Sequence, residues 1–179
     1  MDNRKARLSD LDSIMEIIED AKAFLKSSGV DQWQNGYPDY ENFRRDVESG
    51  NCHICVEDGR VLGVVVLYVR ERSDEEPGYG DVSGEGWIKE GERYGVFHRL
   101  AVDKNTRSKG VAAALLQYCE ELVIKEGCGT MRGDTHRHNL PMRSLLEKSG
   151  YSLRGSIMLE ESAGKDRRRE GYEKVLECR

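Results

Sequence analysis

The stretch YGVFHRLAVDKNTRSKGVAAALLQYCEELVIKEG, residues 94–127, decides the fold. From Val96 to Val102 most residues on both faces of a two-residue period are apolar, which predicts a strand buried on both sides. After a polar turn, apolar residues recur at helical spacing until Gly127, a residue suited to end a helix. These helical positions are Val111, Leu115, Cys119 and Leu122. We therefore expect a buried strand that leads through a short loop into a helix.

The start of this helix has the features of an anion site. Its first backbone N–H groups have no partners within the helix and carry partial positive charge. Gly110 has no side chain that would keep a ligand at a distance. Arg107 and Lys109 add two cations beside it. These features favour a pyrophosphate as the bound group.

The same residues carry a resemblance to a known family. The run RSKGVA, residues 107–112, follows Leu100-Ala101-Val102 and resembles the Arg/Gln-x-x-Gly-x-Gly/Ala motif of the GNAT superfamily of N-acetyltransferases. The resemblance implies that acetyl-coenzyme A is the co-substrate and that the preceding strand pairs with its pantetheine arm. It implies these coenzyme-binding residues: Leu100, Ala101, Val102, Arg107, Ser108, Lys109, Gly110, Val111 and Ala112.

A second run, NLPMRSLLEKSGY at residues 139–151, resembles the family's later motif, in which an Asn precedes a helix that ends in Lys-x-Gly-Phe/Tyr. The resemblance adds Asn139 and Lys148 to the coenzyme-binding residues. GNAT enzymes frequently carry a tyrosine on this helix that protonates the leaving thiolate. Leu146 stands at the matching position, so this role is vacant.

The order of the elements also resembles that of the GNAT family. Periodicity and turn residues predict strand, two helices, three strands, helix, strand, helix and two strands. The Asp58-Gly59 pair predicts a tight hairpin between two of these strands. The resemblance implies an α+β fold, with a central, mostly antiparallel sheet flanked by helices. The length of 179 residues suits one domain, and we expect residues 1–179 to form it.

The composition of the chain limits the classes of function that it can have. With 37% hydrophobic and 34% charged residues the sequence is that of a globular protein with a charged surface. A net charge of -5 argues against a nucleic-acid partner. The longest apolar run, Val61 to Val69, is too short for a membrane span, and no basic and apolar leader opens the chain. We therefore expect a cytoplasmic protein without a membrane partner, while a homodimer is left open.

Five cysteines give no disulfide framework, which fits a reducing compartment. Cys52-His53-Ile54-Cys55 spells Cys-x-x-Cys, a spacing used by zinc and redox sites. In a strand, however, side chains three apart point to opposite faces, and no second Cys or His pair has zinc spacing. We expect no metal.

Trp33 and Gln34 lie in a segment of turn residues outside any periodic element. From the residues alone, such a segment either covers the core or forms part of a binding surface. The resemblance favours the second interpretation, since the loop between the first two helices forms a wall of the acceptor site in many GNAT enzymes. Trp33 and Gln34 are therefore predicted to contact the acceptor.

His98 is the candidate catalytic residue. Strand alternation predicts that it shares a face with Leu100, close to the backbone amides that would polarise a thioester carbonyl. A protonated amine cannot attack, so a general base near neutrality assists. The residues leave a packed core histidine as an equal alternative. His136, His138 and the Arg167-Arg168-Arg169 run are interpreted as polar loop residues, the run as a solvated hairpin tip among acidic neighbours.

Two functions follow. The first is N-acetyl transfer from acetyl-coenzyme A to a primary amine of a small molecule, amino acid derivative or peptide, by direct attack in a ternary complex. The alternative is a GNAT-fold module that binds coenzyme A in a regulatory or non-catalytic role, which the vacant tyrosine position allows.

Overall fold

The computed structural model describes residues 1–71, 76–107, 109–159 and 166–177. Within these residues the chain forms eight strands and four α-helices around one sheet. In chain order they are β1 (Asp2–Lys5), α1 (Leu11–Ser27), α2 (Tyr40–Glu48), β2 (Cys52–Glu57), β3 (Arg60–Arg70), β4 (Ser83–Gly84), β5 (Tyr94–Val102), α3 (Val111–Lys125), β6 (Thr130–Thr135), α4 (Leu140–Lys148), β7 (Ser152–Met158) and β8 (Arg168–Val175).

The sheet has the strand order β1-β2-β3-β5-β6-β8-β7-β4. Among the described strands, β5 and β6 run parallel to each other, while the remaining neighbours are antiparallel. The predicted hairpin is present, since Glu57 and Arg60 pair across Asp58 and Gly59, both of which have positive φ. The predicted fold class, a mixed and mostly antiparallel sheet flanked by helices, is confirmed.

Strand β5 is buried between two cores, as its sequence predicts. One core lies toward α3 and contains Phe97, Leu100 and Leu115. The other lies toward α1 and α2 and contains Ile14, Phe43 and Ala101. Because both faces of β5 are covered by helices, this strand lies at the centre of the fold.

A β-bulge in β5 corrects one prediction from the sequence. Val66 pairs with His98 and Val64 with Ala101, so both Arg99 and Leu100 lie opposite Val65. The extra residue is accommodated by Arg99, whose φ is +53°. Leu100 consequently packs with Phe97 on the α3 side, while His98 lies on the other face. The prediction that His98 and Leu100 share a face is wrong, because the bulge interrupts the alternation.

Strands β5 and β6 separate soon after they begin to pair. Their register contacts are confined to Gly95 with Met131 and Val96 with Arg132. From Phe97 onward the β6-facing side of β5 borders a cavity. The separation leaves a row of backbone groups in the middle of the sheet accessible to an extended ligand.

The long connection before β5 is held by aromatic packing. Tyr79 and Trp87 stack at 5.2 Å between ring centroids, and the Trp87 indole donates to the Tyr79 carbonyl at 2.7 Å. The guanidinium of Arg132 lies over the rings of Trp87 and Tyr94, at 4.5 and 4.0 Å. Residues 72–75 of this predicted loop lie outside the described residues.

The prediction of a solvated tip at Arg167 to Arg169 is wrong for Arg169. Strand β8 begins at Arg168, earlier than predicted, and Arg169 is only 2% exposed. Pairing of β8 with both β6 and β7 draws this residue into the interior, while Arg168 stays exposed. Residues 160–165 of the same connection lie outside the described part of the chain.

No helix in the described ranges is long and apolar enough to cross a bilayer. The same ranges contain no group of three or more His, Cys, Asp or Glu side chains arranged to hold a metal ion. Cys52 and Cys55 are both buried as free thiols.

Candidate active site

A cavity of about 830 Å³ opens where β5 and β6 separate. It is bounded by α1 and the loop after it, by the connection between β3 and β5, by β5, by the start of α3, by β6 and α4, and by Arg169 of β8. Of the predicted site residues, the cavity brings together Trp33, His98, Leu100, Ala101, Val102, Arg107, Gly110, Val111, Ala112, Asn139 and Lys148. Ser108 lies outside the described residues, Lys109 is exposed next to Gly110, and Gln34 lies away from the cavity.

The start of α3 lies at one end of the cavity. Gly110 caps this helix with a φ of +81°, a conformation that other residues adopt with strain. A Cβ built on Gly110 would meet no protein atom within 4 Å. The N–H groups of the first turn are thus open to a ligand that complements their partial charge.

Basic side chains flank this helix start. The guanidinium of Arg107 lies 4.2 Å from the centroid of the Phe24 ring, a cation–π contact that fixes it beside α1. Lys148, at the end of α4, borders the same cavity. Arg107 gives the helix start a positive charge and Lys148 adds a cation to the cavity, which suits the phosphates of a coenzyme A molecule. We call this end of the cavity the coenzyme end.

Asn139 ties α4 to the loop after α1. Its Oδ1 accepts from the N–H of Met142 and caps α4, and its Nδ2 donates to Oε1 of Gln32 at 3.3 Å. Asn139 thereby fixes two opposite walls of the cavity relative to each other.

The other end of the cavity is polar, and we call it the acceptor end. It is lined by Tyr37, Glu76, Tyr79, His98, Arg99, Asp134 and Arg169. Sequence reasoning found only His98 among these seven with a defined role.

His98 projects from β5 into the acceptor end. Its Nε2 lies 3.0 Å from Oε1 of Glu76, and its ring lies 5.8 Å from the ring of Tyr68. The imidazole is 19% exposed, so it borders the cavity without being open to bulk solvent. Because Nε2 is itself buried against Glu76, a proton from a molecule in the cavity would be taken up at the other ring nitrogen, Nδ1.

Glu76 is held by contacts on three sides. Its Oε2 accepts from Nε of Arg70 at 2.7 Å, and its own N–H donates to the Tyr94 hydroxyl at 2.9 Å. Burial works to raise the pKa of Glu76, but His98 and Arg70 together lower it below its ordinary value. Glu76 is therefore a carboxylate at neutral pH. No sequence signal identified it, because it lies in a connection without periodicity.

Asp134 and Tyr79 form a second acidic feature. The Tyr79 hydroxyl donates to Oδ1 of Asp134 at 2.9 Å. Burial raises the pKa of Asp134, although His98, Tyr79 and Arg169 act in the opposite direction. Burial also raises the pKa of Tyr79 well above its ordinary value, so this side chain stays a phenol.

Arg99 is the centre of a buried hydrogen-bond network. Its Nε donates to the Tyr37 hydroxyl at 2.8 Å, and its Nη1 donates to Oδ2 of Asp46. The Tyr68 hydroxyl donates to the other oxygen of Asp46. Burial first and then the Asp46 contact raise the pKa of Tyr68 to about 12. The network fixes the bulge and the Tyr37 loop against α2.

The side chains of Trp33 and Gln34 lie in different surroundings. Trp33 borders the cavity with a φ of +65° and also packs against the core beside α1. The Gln34 amide instead donates to the backbone carbonyls of Lys22 and Gln32, and Gln32 borders the cavity in its place. The structure does not bring Gln34 to the candidate acceptor site.

Leu146 is fully buried and packs in the core on the α3 side. It supplies no proton donor to the cavity. The phenols that do border it are those of Tyr37 and Tyr79.

A family model matches this fold and site. Residues 11–151 match the Acetyltransferase (GNAT) family, and the chain belongs to this family. GNAT proteins are acyltransferases that use acetyl-coenzyme A, which places the chain in that class of enzymes and confirms the family predicted from the two motifs.

Known relatives agree with this assignment. The chain is 24% identical over 119 residues to the S-(2-succino)cysteine N-acetyltransferase of Bacillus subtilis (strain 168), an alignment over 65% of this chain. It spans 62% of the length of that relative. A GNAT-family acetyltransferase of Streptococcus agalactiae 2603 is 30% identical, with a TM-score of 0.84 over 99% of this chain and 96% of the other.

A third protein has the same fold with a bound ligand. The PaiA N-acetyltransferase of Thermoplasma acidophilum, solved in complex with coenzyme A, has a TM-score of 0.69 over 98% of both chains. At 15% identity this likeness concerns the fold alone.

Proposed function

We propose that this protein transfers the acetyl group of acetyl-coenzyme A to the primary amine of a small molecule, by direct attack in a ternary complex. The observation that carries the proposal is the single cavity in which the α3 start, the unpaired side of β5 and His98 meet. A coenzyme bound along β5 with its pyrophosphate at Gly110 brings its thioester to the acceptor end.

In this proposal the coenzyme end of the cavity binds the coenzyme and takes no part in the chemical step. The N–H groups at the start of α3 hold the pyrophosphate, while Arg107 and Lys148 complement its charge. Backbone N–H groups near Leu100 and Ala101 donate to the thioester carbonyl oxygen, where negative charge grows during attack. The bulge at Arg99 changes the direction in which these backbone N–H groups point.

His98 is proposed as the general base that takes a proton from the acceptor amine. Glu76, 3.0 Å away, orients the imidazole and stabilises its protonated form. With Leu146 buried, we propose Tyr37 as the acid for the leaving thiolate. Its hydroxyl oxygen accepts from Arg99, so its own hydrogen is directed elsewhere. Its pKa is raised, above all by burial, which keeps it protonated.

A small-molecule acceptor is supported by the acceptor end of the cavity, where polar groups converge from several elements. The Bacillus subtilis relative is named for acetylation of a modified cysteine, which also is a small amine.

The test incubates the protein with acetyl-coenzyme A and a panel of small primary amines while free thiol is followed. Thiol release that depends on the amine, with an acetylated product of matching mass, supports the proposal. Binding of the coenzyme without release across the panel supports instead a coenzyme A-binding module, the reading that buried Leu146 favours.

A further inference from the structure

Asp134 is a carboxylate of the acceptor end to which the proposed mechanism gives no role. Its Oδ1 accepts from the hydroxyl of Tyr79 at 2.9 Å. The second carboxylate of this end, Glu76, is bonded to Nε of Arg70 and lies against His98. The hydrogen bond to Asp134 comes instead from an uncharged phenol. Because a carboxylate accepts hydrogen bonds at both of its oxygens, Asp134 can also accept from a molecule in the cavity.

The register of the sheet places Asp134 across the gap from His98. Val96 pairs with Arg132 in the parallel β5–β6 ladder, and two residues further along the two strands are His98 and Asp134. The guanidinium of Arg132 lies over the ring of Tyr94, which shares a core with Val96. Since side chains alternate along each strand up to the bulge, His98 and Asp134 project to this same side of the sheet.

The electrostatic setting of Asp134 suits a ligand with several N–H donors. Burial raises the pKa of this carboxyl, and the charge of His98 is the largest effect that lowers it. Arg169 also acts on it through its charge, although Nη1 of Arg169 donates to backbone carbonyls at the start of β8. A buried carboxylate is stabilised by further donors and by positive charge. A protonated amine brings both on a single nitrogen atom.

We propose that the carboxylate of Asp134 binds the acceptor amine across the gap from His98. This inference rests on the proposed acetyl transfer and assigns the group that holds the nucleophile. The ammonium gives one proton to Nδ1 of His98, and one of the two N–H bonds that remain donates to Asp134. The lone pair that the proton transfer leaves on nitrogen is then directed at the thioester carbon.

Tyr79 is the positioning residue for this carboxylate. It is fully buried, its ring stacks on that of Trp87 at 5.2 Å, and its carbonyl accepts from the Trp87 indole. The phenol therefore presents its hydroxyl from a fixed place, and its hydrogen bond orients the carboxylate of Asp134. Removal of this hydroxyl alone leaves the stacked rings in place while it frees the carboxylate to rotate.

The test measures amine binding separately from turnover. Small primary amines are titrated by calorimetry into the complex with coenzyme A, which has no acetyl group to transfer, and the amine that binds most tightly is the probe. We expect Asp134→Asn to weaken probe binding about tenfold or more, the scale of a hydrogen bond to a charged group, with unchanged affinity for coenzyme A. Asp81→Asn is the matched control, because Asp81 is exposed and does not border the cavity.

An isostere of the probe, in which a methyl group replaces the amine, reports the shape of the site. Asp134→Asn should leave the affinity for this isostere unchanged, since the methyl group brings no N–H donor. Equal weakening of the probe and of the isostere would overturn the proposal, because the loss would then come from the shape of the cavity. Unchanged affinity for the probe would overturn it as well.

Tyr79→Phe is a second and milder variant. It should weaken probe binding several-fold, whereas Tyr118→Phe, outside the cavity, should not. If Asp134→Asn fails to bind coenzyme A, Tyr79→Phe decides the question, and wild-type affinity for the probe then contradicts the role of Asp134. A probe that binds but releases no thiol from acetyl-coenzyme A contradicts acetyl transfer itself. Thiol release with an amine affinity that does not depend on Asp134 contradicts only the present proposal.

Discussion

The imidazole Nε2 of His98 lies 3.0 Å from Oε1 of Glu76, although the two residues come from different parts of the sheet and its connections. His98 belongs to β5, while Glu76 precedes Tyr79 and Trp87 in the long connection between β3 and β5. The stacked aromatic rings and the hydrogen bond from Arg70 hold the carboxylate at this distance. The proposed base and the carboxylate that would orient it are thus brought together by packing rather than by sequence proximity.

We expect His98→Ala to lower kcat by about 10²-fold or more, the low end for loss of general base catalysis, with coenzyme affinity nearly intact. Steady-state kinetics and calorimetry check the two parts. His138→Ala is the control, since His138 is exposed and does not border the cavity. Wild-type turnover in His98→Ala would identify His98 as a packing residue and leave deprotonation of the amine to water.

In the proposed mechanism Glu76 acts through His98, so the effect of replacing Glu76 should depend on the presence of His98. We expect Glu76→Gln to lower kcat about tenfold in the unaltered background and to change it little in His98→Ala. A double-mutant cycle on kcat measures this coupling. Equal losses in both backgrounds would mean that Glu76 contributes independently, for example by holding its own loop in place.

Trp33 and Gln34 offer a paired test of the acceptor wall. We expect Trp33→Leu to raise KM for the acceptor several-fold while KM for the coenzyme is unchanged, because Trp33 borders the cavity. Gln34→Ala should change neither, since Gln34 itself does not border the cavity and its amide bonds to backbone carbonyls. If Trp33→Leu lowers the midpoint of thermal unfolding and both KM values move together, Trp33 is a packing residue only.

The buried imidazole of His53 should make the stability of the protein depend on pH. It is 3% exposed beside Tyr118, and burial followed by the charge of Lys5 lowers its pKa to about 4 from an ordinary value of 6.5. Between these two values the unfolded chain binds a proton that the folded protein does not, so the free energy of unfolding falls as pH falls. The full loss is about 3 kcal/mol. Well above pH 6.5 the His53 imidazole is neutral in both states and adds no pH dependence.

Urea unfolding of the wild type and of His53→Leu at several pH values from 7.5 to 4.5 measures this contribution. The variant should lose less stability than the wild type on acidification. If the free energies of unfolding of the two proteins fall equally with pH, folding does not lower the pKa of His53.

The fold was predictable because its signals are local. The period of Val96 to Val102, the helical spacing from Val111 and the turn at Asp58-Gly59 each report the structure of their own segment. The coenzyme end follows from the same kind of signal, since Arg107 and Gly110 lie only three positions apart in the chain.

The acceptor end could not be predicted, because long-range contacts build it. Glu76 contacts His98 from a connection that the Trp87 and Tyr79 stack holds, and Arg169 is buried where β8 pairs with a strand on each side. The bulge at Arg99 also has no sequence signature, since an arginine with positive φ is stabilised here by Asp46 and Tyr37 from other elements. Period-two alternation therefore gave the wrong face for Leu100.

The α3 helix offers a matched pair of glycines for testing the coenzyme end. Gly110 and Gly127 lie at its two ends with φ values of +81° and +77°, and at neither does a Cβ meet a protein atom within 4 Å. A leucine at either position therefore causes similar backbone strain and little crowding within the protein. Only Gly110 borders the cavity.

We expect Gly110→Leu to weaken coenzyme binding at least tenfold, about 1.4 kcal/mol, because the side chain occupies the space of the pyrophosphate at the helix start. Gly127→Leu should bind the coenzyme with wild-type affinity, and both variants should lose comparable amounts of stability in thermal unfolding. Calorimetric titration with coenzyme A separates the two contributions. Wild-type affinity in Gly110→Leu would place the pyrophosphate elsewhere, and equal weakening in both variants would assign the loss to strain in α3 rather than to contact with the coenzyme.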